Sequence, residues 1–100
     1  MSVNVATSLE ASAQRLFPNM SLDEVLAALL LERAQKNLIK YHTMVRQFEA
    51  KYGQDFETFR DTVLGSEPTF EVEQDYFDWE LAVTGIDDMK EEIEHLKGRA

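Results

Sequence analysis

Between Leu22 and Tyr52 the apolar residues recur at alternating steps of three and four: Ala27, Leu31, Ala34, Leu38, Tyr41, Val45, Phe48 and Tyr52. That spacing puts all eight on one stripe of a helix with about 3.5 residues per turn, the period of helices that lie along a partner helix. Ser21, followed by Leu22, Asp23 and Glu24, marks the helix start, and Gly53 supplies the left-handed residue that commonly closes a helix. A second seam runs through Val72, Tyr76, Trp79, Val83 and Ile86, continues after a small slip through Met89, Ile93 and Leu96, and ends at Gly98. It predicts the long partner, opened by Thr69 or Ser66. Gly85 lies inside this pattern at a cost of about 1 kcal/mol relative to alanine, acceptable where two backbones approach closely or where the helix bends at the slip.

Two shorter helices complete the pattern. Thr7 and Glu10 have the spacing of a capping box, with Leu9, Ala13 and Leu16 on one face of a helix that must stop near Pro18. A helix this short needs support, and the leucine-rich start of the long helix is the nearest surface. Residues 1–6 are expected to be loosely held. Asp55 can cap a third helix in which Phe56, Phe59, Val63 and Leu64 share a face before Gly65, Ser66 and Pro68 break it. Its two Phe rings would plug the turn of a hairpin.

The predicted architecture is therefore all-α: an antiparallel hairpin of two long helices with short flanking helices, one domain over residues 1–100. If the chain folds back around the 56–68 segment, facing residues have numbers that sum to about 121. That register brings Lys51 towards Glu71, Lys40 near Glu80 or Asp78, and Lys36 near Asp87 or Asp88. From Val25 to Leu31 the long helix is apolar nearly all round, which one partner helix cannot cover. The surplus at Leu22, Leu26, Leu29 and Leu30 predicts self-association, a homodimer forming a four-helix bundle, or docking on another helical protein.

Composition narrows the function. Hydrophobic residues at 44% and charged residues at 29% describe a globular chain. The longest apolar run falls far short of the roughly 18 residues that span a bilayer, and the first residues lack the pattern of a secretory signal, so a cytoplasmic location is expected. There is no cysteine, which removes disulfides, thiolate catalysis and cysteine-ligated zinc. A net charge of −9 disfavours direct contact with nucleic acid.

That charge is uneven. From Asp61 to Met89 the chain carries nine acidic residues and no lysine or arginine. Tyr76, Phe77, Trp79 and Leu81 interleave with the acids, so at least one large ring should point away from the seam. An acidic face with aromatic anchors suits a basic protein partner, since charge speeds encounter and buried rings hold the complex. The candidate contact set is Glu71, Asp75, Phe77, Asp78, Glu80 and Leu81, against the ordinary alternative of a solvated helix face.

Other constellations are weaker. Glu92 and His95 form the Glu-x-x-His spacing of di-metal helical bundles, but a single copy is present and only a dimer would complete it. His42 reads as a polar residue bordering the seam. Arg33, Lys36 and Lys40 have acidic partners in the proposed hairpin, so a phosphate site there is disfavoured. No cofactor is expected, and no catalytic constellation stands out.

The stretch Lys51, Tyr52, Gly53, Gln54, Asp55, Phe56, Glu57, Thr58, Phe59, followed by Asp75, Tyr76, Phe77, Asp78, Trp79, Glu80, resembles a pattern of small all-helical bacterial and archaeal proteins, some similar to the antitoxin halves of toxin-antitoxin pairs. The resemblance implies a non-enzymatic protein that neutralises a small toxin enzyme by binding it. It runs from the long helix to the C-terminus and lacks the DNA-binding module of most antitoxins. The expectation is thus a protein-protein interaction module, with a purely structural self-associating bundle as the alternative and a di-metal bundle enzyme as a more remote one.

Overall fold

A computed structural model describes the backbone of residues 2–98 and the side chains from Ser8 to Gly98. Among the described residues four helices follow one another: α1 (Ser2–Leu16), α2 (Leu22–Tyr52), α3 (Phe56–Leu64) and α4 (Phe70–Lys97). The expected punctuation is present. Ser21 caps α2 in a reciprocal box, its hydroxyl accepting from the Glu24 amide at 3.1 Å while the Glu24 carboxylate accepts from the Ser21 amide at 3.0 Å. Gly53 closes α2 in the left-handed region with φ 65, which residues with a side chain rarely adopt. Asp55 accepts from the Thr58 amide and Thr69 from the Val72 amide, starting α3 and α4. α1 begins at Ser2, ahead of the cap expected at Thr7, whose side chain lies outside the described residues.

The two long helices pack against each other over most of their length, and all eight residues of the α2 seam are buried or half-buried. On α4, Val72, Tyr76, Val83, Ile86 and Met89 are half-buried, while Trp79, Ile93 and Leu96 are buried. At Gly85 α4 packs tightly on α2: a methyl group there would sit 2.6 to 2.8 Å from the Tyr41 ring. Its place in the helix is one of close approach. The resulting rod measures 57 × 30 × 18 Å, with a radius of gyration of 19.8 Å against about 13 Å for a compact domain of this length.

The register differs from the expected one. Facing residues sum to about 127, as Phe48 and Trp79 or Ala34 and Ile93 do. The first turn of α4 overshoots the end of α2 so that Tyr76 can stack on Phe56 and Phe59 of α3, at 5.7 and 6.5 Å between centroids. Phe70, at the start of that overhang, is 82% exposed. The shift rearranges the ion pairs. Lys51 meets Glu71 as expected, but Lys36 bridges Glu32 one turn back on its own helix instead of Asp87 or Asp88. Among the described residues no ion pair joins Lys40 to Glu80 or Asp78.

Three apolar residues assigned to buried faces are exposed. Leu64 of α3 points outward beside the buried Val63. Leu9 and Leu16 of α1 are also exposed, so α1 rests on α2 through smaller contacts than its pattern predicts. Val25 is buried on the side of α2 facing away from α4, the side that α1 covers.

Candidate protein-binding surfaces

The hairpin has one closed end and one open end. At the closed end Trp79 is fully buried in a ring cluster, with centroids 4.9 Å from Phe59 and 5.5 Å from both Phe48 and Phe56. The short α3 exists to make this possible: it folds Phe56, Phe59 and Val63 over the turn and seals it. The Trp79 indole N–H finds no acceptor among the described residues.

Beside the rings lies a polar cluster that sequence reasoning half anticipated. The Asp75 carboxylate accepts from Lys51 Nζ at 2.6 Å and from the Tyr52 hydroxyl, and Lys51 also donates to Glu71 at 3.1 Å. Burial tends to raise the Asp75 pKa, but the hydrogen bonds from Lys51 and Tyr52, together with the ammonium charge, hold it below the ordinary aspartate value. The same bonds, first to Asp75 and then to Glu71, push the Lys51 pKa up; burial and then the bond to Asp75 raise that of the Tyr52 phenol. The signal for this cluster was legible in the spacing. Asp75 stands three residues after Val72 and four before Trp79, which places it on the inward flank of α4.

The six residues expected to share one partner-binding face therefore divide. Asp75 faces α2, and the largely exposed Glu71 is drawn to the same Lys51. Phe77 and Leu81 point outward, 54% and 59% exposed, on the side of α4 opposite Trp79. Phe70 shares that outward line one heptad before Phe77. Glu80 and the half-buried Asp78 flank the line on its two sides, and Glu73 adds a further acid along it. Glu80 accepts from the Tyr76 hydroxyl at 3.2 Å, which fixes its position on the rim.

At the open end the four leucines singled out from sequence are exposed together: Leu22 at 41%, Leu26 at 51%, Leu29 at 44% and Leu30 at 56%. They form one stripe on α2, turned away from the seam. Two shallow grooves border it. One, of about 280 Å³, lies between Leu26 and Leu30 of α2 and Glu92, His95 and Leu96 of α4. The other, of about 250 Å³, runs past Leu29 to Arg33 and Lys36. Full burial of a leucine is worth about 1.5 to 3 kcal/mol, so covering four half-exposed ones is worth on the order of 4 kcal/mol per chain.

Glu92 and His95 line a groove that Asp23 also edges, and among the described residues no group of three or more His, Asp or Glu side chains is placed to hold a metal ion. His42 is half-buried beside the seam, and Arg33 edges the leucine stripe. Among the described residues no helix is long and apolar enough to cross a membrane. Comparison with protein-family models, with curated proteins and with solved structures finds no match to this chain, so the functional reading rests on its surfaces.

Proposed function

We propose that the protein is a non-enzymatic binding module that captures a basic, amphipathic segment of another protein on the outward face of α4. The observation that carries this reading is the line Phe70, Phe77 and Leu81, each more than half exposed, on a helix stretch whose charged residues are all acidic. The partner expected from that chemistry presents an apolar ridge bordered by lysine or arginine: the ridge covers the rings, and the basic border answers Glu73, Asp78 and Glu80. Neutralisation of a small enzyme by an antitoxin-like protein is one instance of such capture.

Co-expression with the products of neighbouring genes, followed by affinity purification, tests it. The expected result is a stoichiometric partner whose affinity falls at least tenfold in Phe77→Asp, and also falls with added salt or in the charge-reversed pair Glu73→Lys and Glu80→Lys. Recovery of the chain by itself, or of a partner indifferent to Phe77→Asp, contradicts the proposal. Phe77 lies outside the core, so the variant is expected to keep the helical fold.

A further inference from the structure

The leucine stripe of α2 is a separate surface from the outward face of α4, and its bordering charges specify what can cover it. Asp23, Glu92 and His95 edge the groove at the N-terminal end of the stripe, whereas Glu32, Arg33 and Lys36 edge its C-terminal end, where the bridge from Lys36 to Glu32 leaves Arg33 as the net positive charge. Read along the helix, the order is acid, leucine, base. A second copy laid antiparallel sets the acidic end of each chain against the basic end of the other, with leucine on leucine between them. A parallel copy would set Arg33 against Arg33 and Lys36 against Lys36, which like-charge repulsion disfavours. The antiparallel arrangement also opposes the two helix dipoles favourably.

The elongated shape leaves extra surface in water. The chain exposes 7502 Å², where a compact monomer of 100 residues exposes about 5,800 Å². The excess, spread over the whole rod, leaves room for an interface of the standard size of roughly 800 Å² on each partner. We infer that the occupant of the stripe is a second copy of this chain, running antiparallel about a two-fold axis that passes between Leu26 and Leu30. The two hairpins then form a four-helix bundle closed at its middle by the leucines, leaving Phe77 and Leu81 free on the outer face of each α4.

The chain has no cysteine, so introduced ones report orientation without background. Light scattering on the wild-type chain at about 100 µM should give twice the monomer mass, and Leu26→Glu should give the monomer with unchanged helical circular dichroism. Under mild oxidation Leu29→Cys, near the axis, should couple to itself. Leu22→Cys should not, because its copy lies roughly 20 Å along the antiparallel helix, but it should couple to Arg33→Cys or Lys36→Cys when the variants are mixed. A wild-type monomer at that concentration overturns the inference. Self-coupling of Leu22→Cys as fast as that of Leu29→Cys overturns the antiparallel arrangement. Both readouts are independent of any basic partner, so failure here leaves capture on α4 to be judged by its own test.

Discussion

The two ends of one hairpin solve the same problem differently. Near the turn, α3 supplies Phe56, Phe59 and Val63 as a third layer, so Trp79 and its neighbours reach full burial within a single chain. Towards the termini the same pair of helices buries Ala34, Ile93 and Leu96 but leaves the leucines of α2 half in water. The difference lies in the third element: α3 folds across its seam, while α1 keeps Leu9 and Leu16 exposed and covers little. Stability should therefore be concentrated near the turn, and association should be concentrated at the other end.

Substitutions can break this contrast. Trp79→Ala should have the largest effect, a loss of about 3 to 5 kcal/mol in urea unfolding, sufficient to unfold a small domain. Leu26→Ala, measured at a concentration dilute enough to give monomers, should change stability by less than about 0.5 kcal/mol. Equal losses at the two sites would remove the distinction. Trp79→Phe should fall between them because it gives up ring area but also removes an indole N–H without an acceptor.

Next comes Gly85→Ala. Helix propensity alone predicts a gain of about 1 kcal/mol. The new methyl would press on the Tyr41 ring, and overpacking costs about 1 to 3 kcal/mol, so the net result should be a lower thermal midpoint. A higher midpoint would show that the Tyr41 ring can give way to the methyl group without loss.

A smaller effect separates the polar lining of the closed end from its rings. Asp75 has a folded pKa below its unfolded value, so its contribution is complete above the ordinary aspartate value of 3.8 and is lost as pH falls through the folded one. Asp75→Asn should lower stability by about 1 kcal/mol at pH 7 and flatten this part of the acid limb. What remains of that limb should come from the caps, since the Glu24 and Asp55 pKa values are also held low, by bonds from Ser21 and Thr58. The exposed Glu32 and Lys36 pair should matter least: Glu32→Gln should shift the urea midpoint by an amount equivalent to about 0.3 kcal/mol or less.

Much of this fold is legible in the residue pattern. The two seams, the caps at Ser21 and Asp55 and the stop at Gly53 follow from local chemistry, which a sequence displays directly, whereas the choice of Thr69 over Ser66 and of close approach over a bend at Gly85 comes from the structure. The register does not, because the stagger depends on how Phe56 and Phe59 seat against Tyr76, a tertiary fit that neither long helix encodes alone. Periodicity shows which residues share a face but not whether anything lies on that face, which is why Leu9, Leu16 and Leu64 are expected inside and found outside. The partner-binding set divides for a related reason. Acidic composition groups Asp75 with Asp78, whereas the helical angle relative to Trp79 separates them.

Amide hydrogen exchange followed at several protein concentrations measures both ends of α2 at once. Protection over residues 45–52 should be high and independent of concentration, because the rings that cover them belong to the same chain. Protection over residues 22–31 should be lower in dilute solution and rise as concentration increases, because its cover comes from another molecule. Equal protection of the two segments at every concentration would contradict the division of this hairpin into a self-sufficient end and an end completed by association.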